Sequence, residues 1–205
     1  MSEFLLHDDA RKNRILEAAL AEFADKGYKK ASTNTIVREA GVSKGLLFHY
    51  FISKKELFIL LYSHAREVIT NEMNEKVNYA DKDVLNRMTQ ATLVKVESYI
   101  SHPLFMQLFE KLPLVEDQEI LDKINALNNH IQEETYAKIF NDIDYYAFIE
   151  ELNIDRCLQV IRWTVDKISM DWQILQNQSN KKPDFESLKE NITHYLDLFR
   201  DSFYR

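Results

Sequence analysis

The sequence predicts an all-α protein, with a small N-terminal helical domain joined by a long helix to a larger C-terminal helical bundle. Three observations carry this. The 205 residues include only 3 Gly and 3 Pro, too little punctuation for the many turns of a β fold. Apolar residues make up 45% of the chain and recur at three- and four-residue spacing through successive segments. Residues 32–54, STNTIVREAGVSKGLLFHYFISK, read as two short helices joined by a tight turn.

Taken in order, residues 1–8 read as a loosely held arm. Asp8 or Asp9 starts a first helix that runs to about Lys26, with Ile15, Leu16, Ala19, Leu20 and Phe23 as its buried stripe and Gly27 as its end. Ser32 is suited to cap the next helix, on which Ile36 and Ala40 lie one turn apart. Gly41 falls where the chain must adopt a left-handed conformation that only glycine takes without steric cost. Ser43 caps a third helix, Lys44 to Phe51, with Leu47 and Phe51 facing inward. A fourth starts near Ser53, with Glu56 three residues on, and carries Leu57, Leu61, His64 and Val68 at helical spacing to about Val77. His64, on the apolar side of this rod, reads as a hydrogen-bonded core histidine.

Beyond a polar break at 78–83, helices are expected at about 84–100, 104–112 and 117–140. Pro103 lies in the first turn of the second of these and Pro113 closes it. That segment (Leu104, Phe105, Met106, Leu108, Phe109, Leu112) is too apolar all round for a surface helix. Residues 141–153 are less regular, with room for one short helix. Asp155 is the expected cap of a long helix with Ile154, Leu158, Ile161, Val165, Ile168, Trp172 and Leu175 in one seam. Val160, Trp163, Met170 and Ile174 form a second apolar set on the same helix. After a turn at 179–183, Phe185, Leu188, Ile192, Tyr195, Phe199 and Phe203 make the seam of a last helix. A helix with two apolar faces must be covered twice, so the last two helices are expected to close a four-helix bundle with a second copy; the alternative is that both seams face one monomer core.

Two helices joined by a three-residue turn containing glycine follow the helix-turn-helix plan, whose second helix enters the DNA major groove. An ordinary helical hairpin is the competing reading, and the flanks decide between them. Ala18-Ala19, Phe23, Gly27-Tyr28, Ser32, Ile36, Ala40-Gly41-Val42-Ser43-Lys44-Gly45, Leu47, His49-Tyr50-Phe51 and Ser53-Lys54-Lys55-Glu56-Leu57 resemble the N-terminal domain of the tetracycline-repressor (TetR) family of transcriptional regulators. The resemblance is continuous over about a fifth of the chain and covers the DNA-binding domain only. Ala31 departs from a frequent threonine and Val37 from the usual alanine facing the partner helix. Leu46 and Phe48 replace a common threonine and tyrosine, which favours apolar contact, for example with thymine methyl groups, over hydrogen bonding.

The resemblance implies a division into a DNA-binding domain, residues 1–66, and a ligand-binding and dimerisation domain, residues 67–205. Charge follows the same split. The net charge is −7, yet residues 1–66 carry 11 Lys+Arg against 8 Asp+Glu, net +3, leaving −10 for residues 67–205. Within 26–55, seven bases face Glu39 alone, the footprint of a phosphate-binding face on an acidic body.

By residue type and match to the motif, Lys44 reaches base edges and Gly45 lets the backbone approach. Leu46, Phe48 and His49 face the groove. Tyr50 and Lys54 hold phosphates, with Ser32 and Thr35 at the start of the preceding helix. Phe48 has packing inside the small domain as its competing reading. Lys29 and Lys55 are weaker phosphate candidates.

For the larger domain the family implies a small-molecule pocket. Phe105, Met106, Phe109, Tyr136, Phe140, Tyr145, Tyr146, Trp163 and Met170 supply apolar surface for a hydrophobic or aromatic effector, and Gln107, Asn128, Arg162 and Asp166 are polar candidates to orient it. Any single aromatic among these is more often plain core.

No catalytic motif, cofactor or metal is expected. There is no Gly-rich phosphate loop or nucleophile elbow. His130 and Glu134 are one helical turn apart without an evident third ligand. Cys157 is the single cysteine, which excludes an internal disulfide and suits a cytoplasmic setting. No signal peptide or membrane span is expected. The expected function is a DNA-binding regulator, a ligand-released repressor acting as a homodimer on double-stranded DNA at a palindromic operator. A ligand-independent regulator or activator acting through a protein partner stays open.

Overall fold

The computed structural model describes residues 9–178 and 184–205; the expected arm at 1–8, the expected turn at 179–183 and the side chain of Ile174 lie outside the described residues. The described chain is all-α. Helices α1 (Ala10–Lys30), α2 (Thr33–Ala40), α3 (Lys44–Tyr50) and α4 (Lys54–Lys76) are followed by α5 (Val84–Ser101), α6 (Pro103–Glu110), α7 (Gln118–Phe140), α8 (Ile154–Gln178) and α9 (Phe185–Phe203), with single 3-10 turns at Leu112–Leu114 and Tyr145–Ala147. No strand forms among the described residues beyond one isolated bridge, Phe148 to Tyr204.

Local chemistry sets most boundaries. Asp9 caps α1, its carboxylate accepting the Arg11 N–H at 2.9 Å. Gly27 (φ 70°) breaks the helix as expected, and a further turn then continues to Lys30. Ser32 caps α2 and Ser43 caps α3, accepting the N–H groups of Thr35 and Leu46. Gly41 ends α2 at φ 63°, ψ 41°, the left-handed conformation its place demands. Ser53 accepts the Glu56 N–H at 3.1 Å at the head of α4.

Two compact units form. The first comprises Met1–Ile69 and Ser101–His130, the second Thr70–Ile100 and Ile131–Arg205. The core of the first packs Ile15, Leu16, Ala19 and Phe23 of α1 against Ile36 and Ala40, Leu47, and Leu57, Phe58 and Leu61 of α4. Phe23 and Phe58 meet edge to face at 5.1 Å. Phe105 and Leu108 of α6 and Ile120 and Ile124 of α7 are fully buried in the same core. The greasy short helix thus buries Phe105 and Leu108 under the other helices, while Leu104 stays exposed. It ends at Glu110 rather than Leu112, and Pro113 sits in the following 3-10 turn.

The second unit buries Val84, Leu85 and Met88 of α5 with Ile161 and Trp172 of α8 and Leu188, Ile192, Leu196 and Phe199 of α9. Its Arg87 is 1% exposed and donates to the backbone carbonyls of Asp81, Lys138, Ile139, Asn141 and Asp142. A cation there satisfies carbonyls that the end of α7 leaves without helical partners.

Two further expectations need correcting. The cap of α8 is Asn153, whose Oδ1 accepts the Arg156 N–H at 3.0 Å; Asp155 lies inside the first turn. In α9 the seam passes through Leu196, and Tyr195 is exposed. Steps of four from Leu188 through Ile192 to Leu196 keep the buried side chains on one face, and Tyr195 falls to its side.

Candidate nucleic-acid interface

The face around the recognition helix starts with α1. Glu22 sits on the inner side of α1 and is 7% exposed. Its carboxylate accepts the backbone N–H of Ser32 at 2.9 Å and pairs with Lys26 Nζ at 2.9 Å. Burial pushes its pKa up, but the hydrogen bonds from Lys26 and Ser32 outweigh this and hold it below the ordinary value. Ser32 in turn spends its Oγ on the Thr35 N–H, at 3.4 Å. The first turn of α2 is thereby fixed from both sides, leaving the Thr33 and Asn34 N–H groups at its open end.

Helix α3 buries Leu47 and carries Lys44, Gly45, Phe48 and His49 exposed, with Leu46 and Tyr50 half-buried. Phe48 is 39% exposed, so it does not serve as a packed core residue. Lys44 Nζ donates to Asn34 Oδ1 at 3.2 Å, which ties the start of α3 to α2. A Cβ at Gly45 would meet nothing closer than Ser43 Oγ at 3.9 Å, so the backbone there is open to close approach. The ring of His49 lies 5.6 Å from that of Tyr50, and the Tyr50 hydroxyl donates to Asp9. That bond pushes the Tyr50 pKa up and holds the Asp9 carboxylate below its ordinary range.

The lysines separate into two groups. Lys54 lies over the Tyr28 ring, 4.8 Å from its centroid, and donates to the Lys29 carbonyl at 3.4 Å; burial lowers its pKa. Lys29 pairs with Glu116 at 2.7 Å, and Lys55 pairs with Asp117 at 3.0 Å and Glu119 at 2.6 Å. The acidic start of α7 thus occupies the two weaker phosphate candidates, whereas Lys44 faces only a neutral amide. Sequence reading named Asp9 only as a possible helix start, and it missed Glu22 and Asn34. Only Glu22 left a signal, a carboxylate beside the apolar stripe with Lys26 one turn on.

Residues 15–61 match the model of the bacterial regulatory proteins of the tetR family. By that match, residues 15–61 are a regulatory domain of the tetR family. The chain is 26% identical over 136 residues to the uncharacterized HTH-type transcriptional regulator YhgD of Bacillus subtilis, a match covering 65% of this chain and 69% of that one. It is 21% identical over 184 residues to the fatty acid metabolism regulator protein of the same organism, covering 89% and 92%. Its fold is similar to the solved structure of the fatty acid degradation regulator FadR from Bacillus halodurans, with a TM-score of 0.64 at 20% identity, covering 90% of this chain and 97% of that one.

The pocket candidates fall in separate places. In the first unit, Phe105 is fully buried, stacked on His102 at 5.2 Å, with His64 edge-on at 6.2 Å; Met106 is buried beside it. Phe109 meets Tyr62 at 5.0 Å, and Asn128 Nδ2 donates to the Tyr62 hydroxyl at 3.1 Å. In the second unit, Tyr136 and Phe140 are 5.8 Å apart. The Tyr136 hydroxyl donates to Asp166 and the Arg162 guanidinium lies 4.1 Å over its ring. Burial, then the Asp166 bond, drives the Tyr136 pKa well up. Tyr145 and Tyr146 are exposed, Tyr146 at 87%, as are Gln107, Trp163 and Met170. Trp163 lines a groove of about 630 Å³ along α8 and α9 with Trp172, Leu175 and Tyr195. Among the described residues no group of three His, Cys, Asp or Glu is placed to hold a metal, and no helix is long and apolar enough to cross a membrane.

Proposed function

We propose that this TetR-family regulator is a cytoplasmic homodimeric repressor without catalytic activity, which binds a palindromic operator and is released by an apolar small molecule. The observation that carries the reading is the outward face of α3, with Lys44, Phe48 and His49 exposed beside the capped start of α2. Lys44 donates to base edges, Leu46 and Phe48 contact thymine methyl groups, and Tyr50, Lys54, Ser32 and Thr35 meet phosphates. Half-sites stand about one helical turn apart, roughly 34–36 Å.

The second apolar face of α8 supports the dimer. Trp163 is 60% exposed, and Val160, Met170 and, on α9, Leu198 are exposed with it. A self-complementary patch of this kind suits a two-fold interface. For an apolar effector, Phe105, Met106 and Phe109 supply apolar surface within the first unit and Tyr136 and Phe140 within the second, while Tyr146, Trp163 and Met170 face outward. The fatty acid regulators among its relatives support an acyl compound as the class. In function, residues 1–66 read DNA, and residues 67–205 bind the effector and dimerise. Effector and operator then weaken each other by the same factor, because each prefers a different separation of the two heads.

The test is selection from a randomised duplex pool at two salt concentrations, with sedimentation of the free protein. Enrichment of an inverted repeat by a dimer supports the reading. An enriched single half-site bound by a monomer overturns the dimer. If nothing is enriched even after unfolding and refolding to strip any carried ligand, operator recognition is overturned.

A further inference from the structure

The Tyr50 hydroxyl reaches back 41 residues to the carboxylate of Asp9, joining the C-terminal end of the recognition helix to the first residue ahead of α1. Asp9 has a second duty there, since it caps α1 through the Arg11 N–H at 2.9 Å. A phenol has one proton to donate, and carboxylates and DNA phosphates are both pure acceptors. While Asp9 holds that proton, Tyr50 presents only lone pairs to a phosphate. The carboxylate also places a negative charge beside the site where the phosphate must come. Arg11, on the first turn of α1, is a cation whose charge acts on both groups.

We propose that Asp9 is a positioning residue of the DNA interface, which holds the Tyr50 hydroxyl at the edge of α3 and competes with a DNA phosphate for its proton. On binding, the proton turns from the carboxylate to a phosphate oxygen. No covalent bond changes, and Asp9 keeps its hold on the Arg11 N–H. Asp9 therefore sets the strength of one sequence-independent contact and leaves base reading alone. The inference rests on the reading of Tyr50 as a phosphate contact.

The test is a double-mutant cycle with Asp9→Asn, Tyr50→Phe and the double variant in the full-length protein. Because the contact is to the backbone, a short mixed-sequence duplex serves as the probe. Asparagine caps helices about as well as aspartate, so α1 is retained, and thermal unfolding of each variant checks this. The expected result is that Asp9→Asn binds about three- to tenfold more tightly, that Tyr50→Phe binds more weakly than the parent, and that the double variant binds like Tyr50→Phe alone. If Asp9→Asn leaves affinity unchanged or lower while Tyr50→Phe weakens it, Asp9 is only a tether and the proposal is overturned. The same holds if the gain persists in the Tyr50→Phe background, where lost charge alone explains it. Should Tyr50→Phe bind as the parent does, the phosphate role of Tyr50 itself fails, and the role of Asp9 with it.

Discussion

The Glu22 carboxylate accepts the backbone N–H of Ser32 at 2.9 Å, from a position where only 7% of its surface meets solvent. A buried acid of the first helix thus holds the start of the second. Removing it leaves the Ser32 N–H and the Lys26 charge without their partner. Glu22→Ala is expected to lower stability by about 1–3 kcal/mol, and Glu22→Gln by less, in urea unfolding. The folded pKa of Glu22 lies below its unfolded value. Its contribution is therefore complete above about pH 4.5 and lost as pH falls through the folded value. The stability of Glu22→Gln should accordingly vary less over that acidic range than the parent's.

Gly41 ends α2 at φ 63° and ψ 41°. A Cβ there would meet only Arg14 Nη1, at 3.7 Å, an ordinary contact, so the cost of a side chain is conformational rather than steric. Gly41→Ala is expected to destabilise the protein by about 1 kcal/mol, measured by thermal unfolding. Gly41→Asn, which tolerates the left-handed region better, should lose less.

Arg87 spends its guanidinium on five backbone carbonyls, four around the end of α7 and one at Asp81. Arg87→Met keeps much of the volume and strands those acceptors. A loss of about 3 kcal/mol or more is expected in urea unfolding. Arg87→Lys should recover little, because an ammonium cannot present a planar fork to carbonyls on several sides.

Phe48 is the exposed apolar residue of the recognition helix. Phe48→Ala should weaken binding to the selected operator about fivefold, the burial of about one methylene-sized group. Replacing the contacted thymines by uracil should cost the parent a similar factor and cost the variant almost nothing. An equal loss in both would mean that Phe48 does not touch a thymine methyl.

Much of the fold was legible because it is set by chemistry within one turn of chain. Ser32, Ser43 and Ser53 each cap the helix that follows them, and Gly41 takes the left-handed conformation its place demands. The exposure of Trp163 and Met170 against the burial of Ile161 and Trp172 follows from the two apolar faces of α8. Legibility failed where the deciding partner is remote or a neighbour competes. Tyr195 and Leu196 are adjacent and both suit a seam, and only the covering helices select Leu196. Asn153 and Asp155 both cap well, and the chain path before α8 selects Asn153. The packing of α6 and the start of α7 with the N-terminal helices depends on remote contacts, such as Lys29 to Glu116 across 87 residues. Within the candidate interface the side chains on α3 were readable from spacing, whereas the Asp9 and Glu22 contacts arise only once α1 lies beside α2 and α3.

The central claim, that the face from Ser32 to Lys54 binds the DNA backbone and reads bases, is tested most directly by the salt dependence of operator affinity in the parent and in a Lys44→Ala/Lys54→Ala variant. In the parent, log affinity should fall steeply and linearly with log salt. The variant should bind more weakly, with a slope shallower by about one unit for each lysine in each protomer that contacts a phosphate. A parent affinity that barely responds to salt, or a variant that binds the operator as the parent does, would contradict it.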